Sequence, residues 1–124
     1  MPELQTDKVV IVATHGPDDP ELATIPFMMA TAAQVLDKEA VVILQGRSVQ
    51  LAVQHVMDHV FAGGLPPLKS LIETYVAQGG KLLVCTPCVE WRQIETEKLC
   101  DGSELVAGAR VIVEVTSASA VLTY

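Results

Sequence analysis

Apolar residues along the chain fall into two kinds of run. Lys8 to Thr14 (KVVIVAT), Glu39 to Leu44 (EAVVIL) and Lys81 to Cys85 (KLLVC) are short, continuous and rich in Val, Ile and Leu. Runs of that length and make-up predict strands buried on both faces. Between them the apolar spacing changes. Glu21 to Leu36 carries Leu22, Ile25, Met28, Met29, Ala32, Ala33 and Leu36 at helical intervals. Asp19 is placed to cap that helix and Pro20 to occupy its first turn, while Pro26 predicts a kink. Ser48 to Phe61 reads as an amphipathic helix with Leu51, Val56 and Val60 inward, ended by Gly63-Gly64. Pro66-Pro67 open a further helix over 68–78, with Leu68, Leu71, Ile72, Tyr75 and Val76 on one face and Gly79-Gly80 as its stop.

Residues 86–100 predict a short helix broken near Ile94. Arg110 to Val115 (RVIVEV) is open to two readings by periodicity. It is either a strand or a helix burying Val111, Ile112, Val115 and Ala118 ahead of a short strand from Val121 to Tyr124. Residues 1–7 are polar and are expected to fray, leaving 8–124 as a single domain. Strand alternating with helix predicts a parallel sheet with helices on both faces, an α/β three-layer sandwich. Such folds bind ligands at the carboxyl ends of their strands. Those ends are Thr14-His15-Gly16, Gln45-Gly46-Arg47 and Cys85-Thr86, so chemistry is expected there.

Composition narrows the class. A length of 124 residues suits one domain, and half of them are hydrophobic against 19% charged, which excludes a disordered chain. Mean hydropathy is +0.39, yet no apolar run approaches the roughly 18 residues of a membrane helix. The surplus points to a doubly covered sheet, a subunit interface or both. Eight basic against fifteen acidic residues give a net charge of −7. That leaves no footprint for nucleic acid and no polybasic membrane anchor. Met1 to Gln5 has no secretory pattern, so a cytoplasmic location is expected. Three cysteines do not make a disulfide scaffold.

The familiar motifs are missing. No GxGxxG follows a strand, there is no GxSxG, and Gly79-Gly80-Lys81 precedes a strand rather than following one. His55 and His59 have metal-ligand spacing, but Val56 stands where a zinc protease needs its glutamate. They read as two histidines on a solvated or interface face. No metal and no cofactor is expected.

Cys85-Thr86-Pro87-Cys88 is the most informative stretch. Cys85 closes a buried strand, and Pro87 suits a first helical turn that would also contain Cys88. Unpaired amides there favour a thiolate, so one or both thiols are expected to have a lowered pKa. Glu90 and Glu95 oppose that and Arg92 offsets them. Three readings compete: two buried small hydrophobes, half a zinc site with Cys100 and His15 as further ligands, or thiol and persulfide chemistry. Cys100 has no activating pattern and reads as structural. His15 is either a proton shuttle or a turn histidine bonded to its own loop. Arg47 reads as solvated before it reads as an anion holder, and Trp91 as an interface or pocket wall.

From Lys8 to Tyr124 the chain resembles the DsrE/DsrF-like proteins, small sulfur-relay subunits. The resemblance rests on the first strand with Gly16-Pro17-Asp18-Asp19-Pro20 and the helix after it. It rests also on the Gly79-Gly80 strand ending in Cys85, on Asp101 to Ala109 (DGSELVAGA), and on the closing Ala-Val-Leu-Thr-Tyr. Gln45-Gly46-Arg47 departs from the pattern, since relatives often carry an acidic residue before the glycine. The resemblance implies a flavodoxin-like fold with a mainly parallel sheet, assembled as a trimer or hexamer with sites near subunit boundaries. It also implies that Arg110 to Ser117 is helical. It places the sulfur-accepting role, a sulfurtransferase-like persulfide carrier, on Cys85. Donor and acceptor proteins would be its partners, with Cys88 as a resolving thiol or a bystander; His15, at the neighbouring strand end, is either the proton shuttle of this chemistry or a turn histidine. The alternatives are a non-enzymatic assembly or regulatory subunit and a CxxC dithiol oxidoreductase.

Overall fold

The computed structural model describes residues 7–124; the first six residues, most of the stretch expected to fray, lie outside the described residues. Among the described residues five strands build one sheet: β1 (Lys8–Ala13), β2 (Glu39–Leu44), β3 (Lys81–Cys85), β4 (Ser103–Val106) and β5 (Ala120–Thr123). Their order is β4-β3-β2-β1-β5 and every neighbouring pair is parallel. The helices are α1 (Pro20–Val35), α2 (Leu68–Ala77), α3 (Thr86–Trp91) and α4 (Gly108–Thr116). Asp7 is held at the sheet's amino end, its carbonyl accepting the Glu39 N–H at 2.8 Å.

Alternation along the strands decides the layers. Ile11, Ala13, Val42, Leu44, Leu82 and Val84 point to one face, where they bury Phe27, Leu71, Ile72 and Tyr75 of α1 and α2. Val10, Val41, Ile43 and Leu83 point to the other, where Val111 of α4 and Ala118 pack on them. The sheet grows one way from β1 to β4, then the chain returns past β1 to lay down β5. Right-handed crossovers place the helix of such a returning connection on the opposite face. That is why α4 stands alone across from α1 and α2. It also explains why Arg110 to Val115 is helical despite its β-branched residues: the sheet face supplies the partner that local propensity lacks.

Local signals hold at α1. Asp19 Oδ1 accepts the Leu22 N–H at 3.1 Å and Pro20 opens the helix. The helix runs through Pro26, which is buried within it. Tyr75 links α2 to the sheet. Its hydroxyl accepts the Val42 N–H at 3.1 Å and lies 2.6 Å from the Lys81 carbonyl and 3.0 Å from that of Ala40. A Cβ at Gly80 would collide with this ring, so only glycine fits there.

The segment after β2 departs from expectation. Residues 48–61 do not form an amphipathic α-helix. Short 3-10 turns occupy Gly46–Ala52 and Met57–His59, and Val53 between them is extended and bridges antiparallel to Leu99. Ser48, Val49, Leu51 and Ala52 are all buried, so the apolar residues do not share one face of a helix. The Ser48 hydroxyl, donating within reach of Ala13 O at 2.6 Å, anchors this segment to the end of β1. β4 had no strand signal of its own. It is a four-residue edge strand with only Val106 buried.

Candidate functional site

The carboxyl edge of the sheet carries the chemistry. β3 delivers Cys85 to that edge, and α3 begins at the next residue with Pro87 in its first turn and Cys88 third. Cys85 and Cys88 are free thiols, both half-buried. β2 is the strand beside β3, and the turn at its end supplies Gly46, whose N–H donates to Cys88 Sγ at 3.2 Å. This contact is built by glycine chemistry. Gly46 sits at φ +61°, and Gly16 from the loop after β1 packs so closely that a Cβ would lie 2.7 Å from the Arg47 carbonyl. Bare backbone at both positions lets the β1 and β2 loops close on each other and aim an amide at sulfur.

The electrostatics differ from the sequence expectation. The Cys85 thiol is pushed up, not down. Burial is the largest cause. The Cys88 thiol raises it further by hydrogen bonding and by charge. The Cys88 backbone amide and the more distant Arg92 pull the other way without prevailing. A six-residue helix offers too little dipole to reverse the cost of desolvation. Arg92 donates to the Cys88 carbonyl at 3.2 Å, and its guanidinium lies 5.3 Å from the centroid of the exposed Trp91 ring. Thr86 donates to the Val106 carbonyl at 2.9 Å and ties the start of α3 to β4.

His15 follows β1, which β2 separates from β3, and no hydrogen bond joins it to either cysteine. Its ring Nδ1 lies 3.4 Å from Thr14 Oγ1, within its own loop. Arg47 pairs with Asp18 at 2.7 Å across the two loops. Cys100 lies elsewhere, with Sγ 3.6 Å from Ser103 Oγ and its thiol raised by burial. Among the described residues no group of three or more His, Cys, Asp or Glu side chains is arranged to hold a metal ion. His55 contacts Asp58 at 3.5 Å rather than His59. Sequence reasoning placed Gly46 at a strand end where chemistry was expected but gave it no role; the structure shows its backbone N–H reaching Cys88 sulfur.

The site and fold together describe a parallel α/β domain that presents two thiols beside a backbone donor at its carboxyl edge. The model of the DsrE/DsrF-like family matches residues 7–124, and the chain belongs to that family. An uncharacterized protein of Methanocaldococcus jannaschii, MJ0760, is 31% identical over 103 residues, 83% of this chain. The chain spans 37% of that relative's length. Among solved structures, the ychN protein of E. coli superposes with a TM-score of 0.81 at 24% identity, covering 98% of this chain and all of that one. The BT1422 protein of Bacteroides thetaiotaomicron gives 0.68 at 18% identity, over 95% of each chain. The MTH1491 protein of Methanobacterium thermoautotrophicum gives 0.67 at 12%, over 94% and 98%. These likenesses establish the fold. No helix among the described residues is long and apolar enough to cross a membrane.

Proposed function

We propose that the protein is a sulfur carrier that takes sulfane sulfur as a persulfide on Cys85 and hands it to a partner protein. The observation that carries this reading is the free pair itself: Cys85 beside Cys88, whose sulfur accepts the Gly46 N–H at 3.2 Å. In the transfer, Cys85 sulfur attacks the outer sulfur of a donor persulfide R–S–SH. The S–S bond of the donor breaks, R–S leaves with the electron pair, and the Cys85 proton ends on that leaving thiolate. The products are Cys85–S–SH and R–SH, with no net oxidation. An acceptor thiolate then attacks the outer sulfur and frees Cys85. The raised Cys85 pKa lowers the thiolate fraction, so attack on the donor should quicken as pH rises. His15 has no hydrogen bond to either cysteine and is given no step.

Donor and acceptor proteins, a cytoplasmic setting and assembly as a trimer or hexamer belong to this reading. Intact mass spectrometry after exposure to a persulfide donor tests it. A reductant-reversible gain of one sulfur, lost in Cys85→Ser and kept in Cys88→Ser, is expected. The adjacency of two free thiols favours one second reading, a dithiol oxidoreductase. That reading requires loss of two hydrogens without sulfur gain, abolished by either substitution. No change in any variant would leave an assembly subunit with inert cysteines.

A further inference from the structure

A cavity of about 400 Å³ lies away from the cysteine pair, between α2 and the segments on either side of the Val53–Leu99 bridge. Val76 and Ala77 end α2, and Cys100 and Asp101 precede β4. The cavity therefore reaches toward the amino ends of β3 and β4, whereas Cys85 closes the carboxyl end of β3. We propose that it is a binding site for a small organic ammonium ion carrying an apolar body of several carbons. This goes beyond the sulfur-carrier reading and stands without it.

Shape and lining come first. A volume of this size falls within the range of small-molecule pockets. Met57 and Ile72, both buried, and half-buried Val76 give it an apolar floor. The walls are tied together before any ligand arrives. The Cys100 N–H donates to the Ala52 carbonyl at 2.7 Å, and the Gln54 N–H to the Lys98 carbonyl at 2.8 Å. Pre-organisation of this kind lowers the ordering cost of binding.

Charge then selects the ligand. Asp58, Glu73 and Asp101 contribute carboxylates and Lys69 one ammonium. Asp58 is already shared, 3.6 Å from Lys69 Nζ and 3.5 Å from His55 Nδ1. Glu73 and Asp101 have no hydrogen-bond or ion-pair partner among the described residues. Two carboxylates beside an apolar floor complement an ammonium head on a hydrocarbon tail. Sulfide, thiosulfate and other small sulfur anions meet like charge here, so the cavity does not serve the Cys85 chemistry. The Cys100 thiol on the wall, raised by burial, stays neutral and leaves that charge balance unchanged.

The test uses the full-length chain labelled at Ile, Val and Met methyls, titrated with hexylammonium chloride, sodium hexanoate and hexanol. Saturable shifts of the Ile72, Val76 and Met57 methyls with hexylammonium, and much weaker ones with the other two probes, are expected. Glu73→Gln and Asp101→Asn are exposed, isosteric changes and should each weaken that binding roughly two- to five-fold. Cys85→Ser should leave it unchanged, which separates its failure from failure of the carrier reading. Binding of hexanoate or hexanol as tight as hexylammonium overturns the proposal. So does the absence of saturable shifts at those three methyls, or unaltered affinity in both carboxylate variants.

Discussion

Cys85 is the residue where the local physics runs against the simplest sequence argument. A cysteine at a strand end followed by a helix start suggests a stabilised thiolate. Burial and the neighbouring Cys88 thiol raise its pKa instead. The sign follows directly: below the folded pKa the thiol is neutral, and thiolate grows only as pH climbs through a value above the ordinary 9.0. Alkylation of Cys85 by neutral iodoacetamide, followed by peptide mass mapping, should therefore still be accelerating at pH 9. Cys88→Ser removes one charge and one hydrogen-bonding thiol that raise the pKa, so its profile should move to lower pH. A plateau already at neutral pH in the wild type would show that the helix amides prevail. Gly46 is the complementary case. It carries no side-chain chemistry, yet its amide is the donor that reaches Cys88 sulfur. Gly16 packs against Arg47 of the same turn, and a contact between two loops is invisible to a linear reading.

At the scale of elements, α4 depends on a few charged contacts because it covers its sheet face alone. Glu114 binds Lys8 of β1 at 2.9 Å and Arg110 at 2.8 Å, and Arg110 also reaches Glu104 at 2.8 Å. Burial alone would raise the Glu114 pKa, but the hydrogen bonds from Arg110 and Lys8 outweigh it and the net shift is downward. A depressed folded pKa contributes stability that is present above the ordinary carboxylate value. It is lost as pH falls through the folded one. Glu114→Gln should thus cost about 1 kcal/mol at pH 7, the upper end for a screened pair. Urea unfolding should show that difference closing below about pH 4. A constant gap across that range would mean the residue acts through packing. The same element shows how far sequence could go. The buried strands β1, β2 and β3, and the capped helix α1, were legible because burial on two faces and an Asp-Pro start leave unambiguous patterns. α4 was not legible from periodicity, since its β-branched run fits either structure until the face of Val10, Val41 and Ile43 is there to receive it; the helix over 110–117 came from the family resemblance, and the structure bears it out. The 48–61 segment misled for the reverse reason. Helical spacing was present, but tertiary burial of Val49, Leu51 and Ala52 together pulled the chain into 3-10 turns. The cysteine pair was legible as a CxxC; its partner amide and the cavity beside α2 were not, because each joins segments distant in sequence.

The whole molecule leaves apolar surface that one chain does not use. Ile112 and Val113 on α4 are 61% and 60% exposed, and Val121 and Leu122 of β5 are 39% and 36% exposed. β5 ends the sheet, so among the described residues one side of its backbone has no strand partner. An edge strand beside exposed aliphatics is a surface that soluble proteins usually cover. On the oligomeric reading it is where copies of the chain meet. Each copy brings a net charge of −7, so assembly brings like charges together and should tighten with added salt, which screens them beyond about 8 Å at physiological strength. Light scattering coupled to size exclusion is expected to give three or six times the 13.3 kDa chain mass. Ile112→Glu and Val113→Glu change exposed positions and should shift the mass toward the single chain without loss of helical signal. The shift should be larger in low salt, where the introduced charge is least screened. A wild-type mass of one chain at every salt concentration would break the assembly reading, while sulfur loading on Cys85 would remain open to its own test.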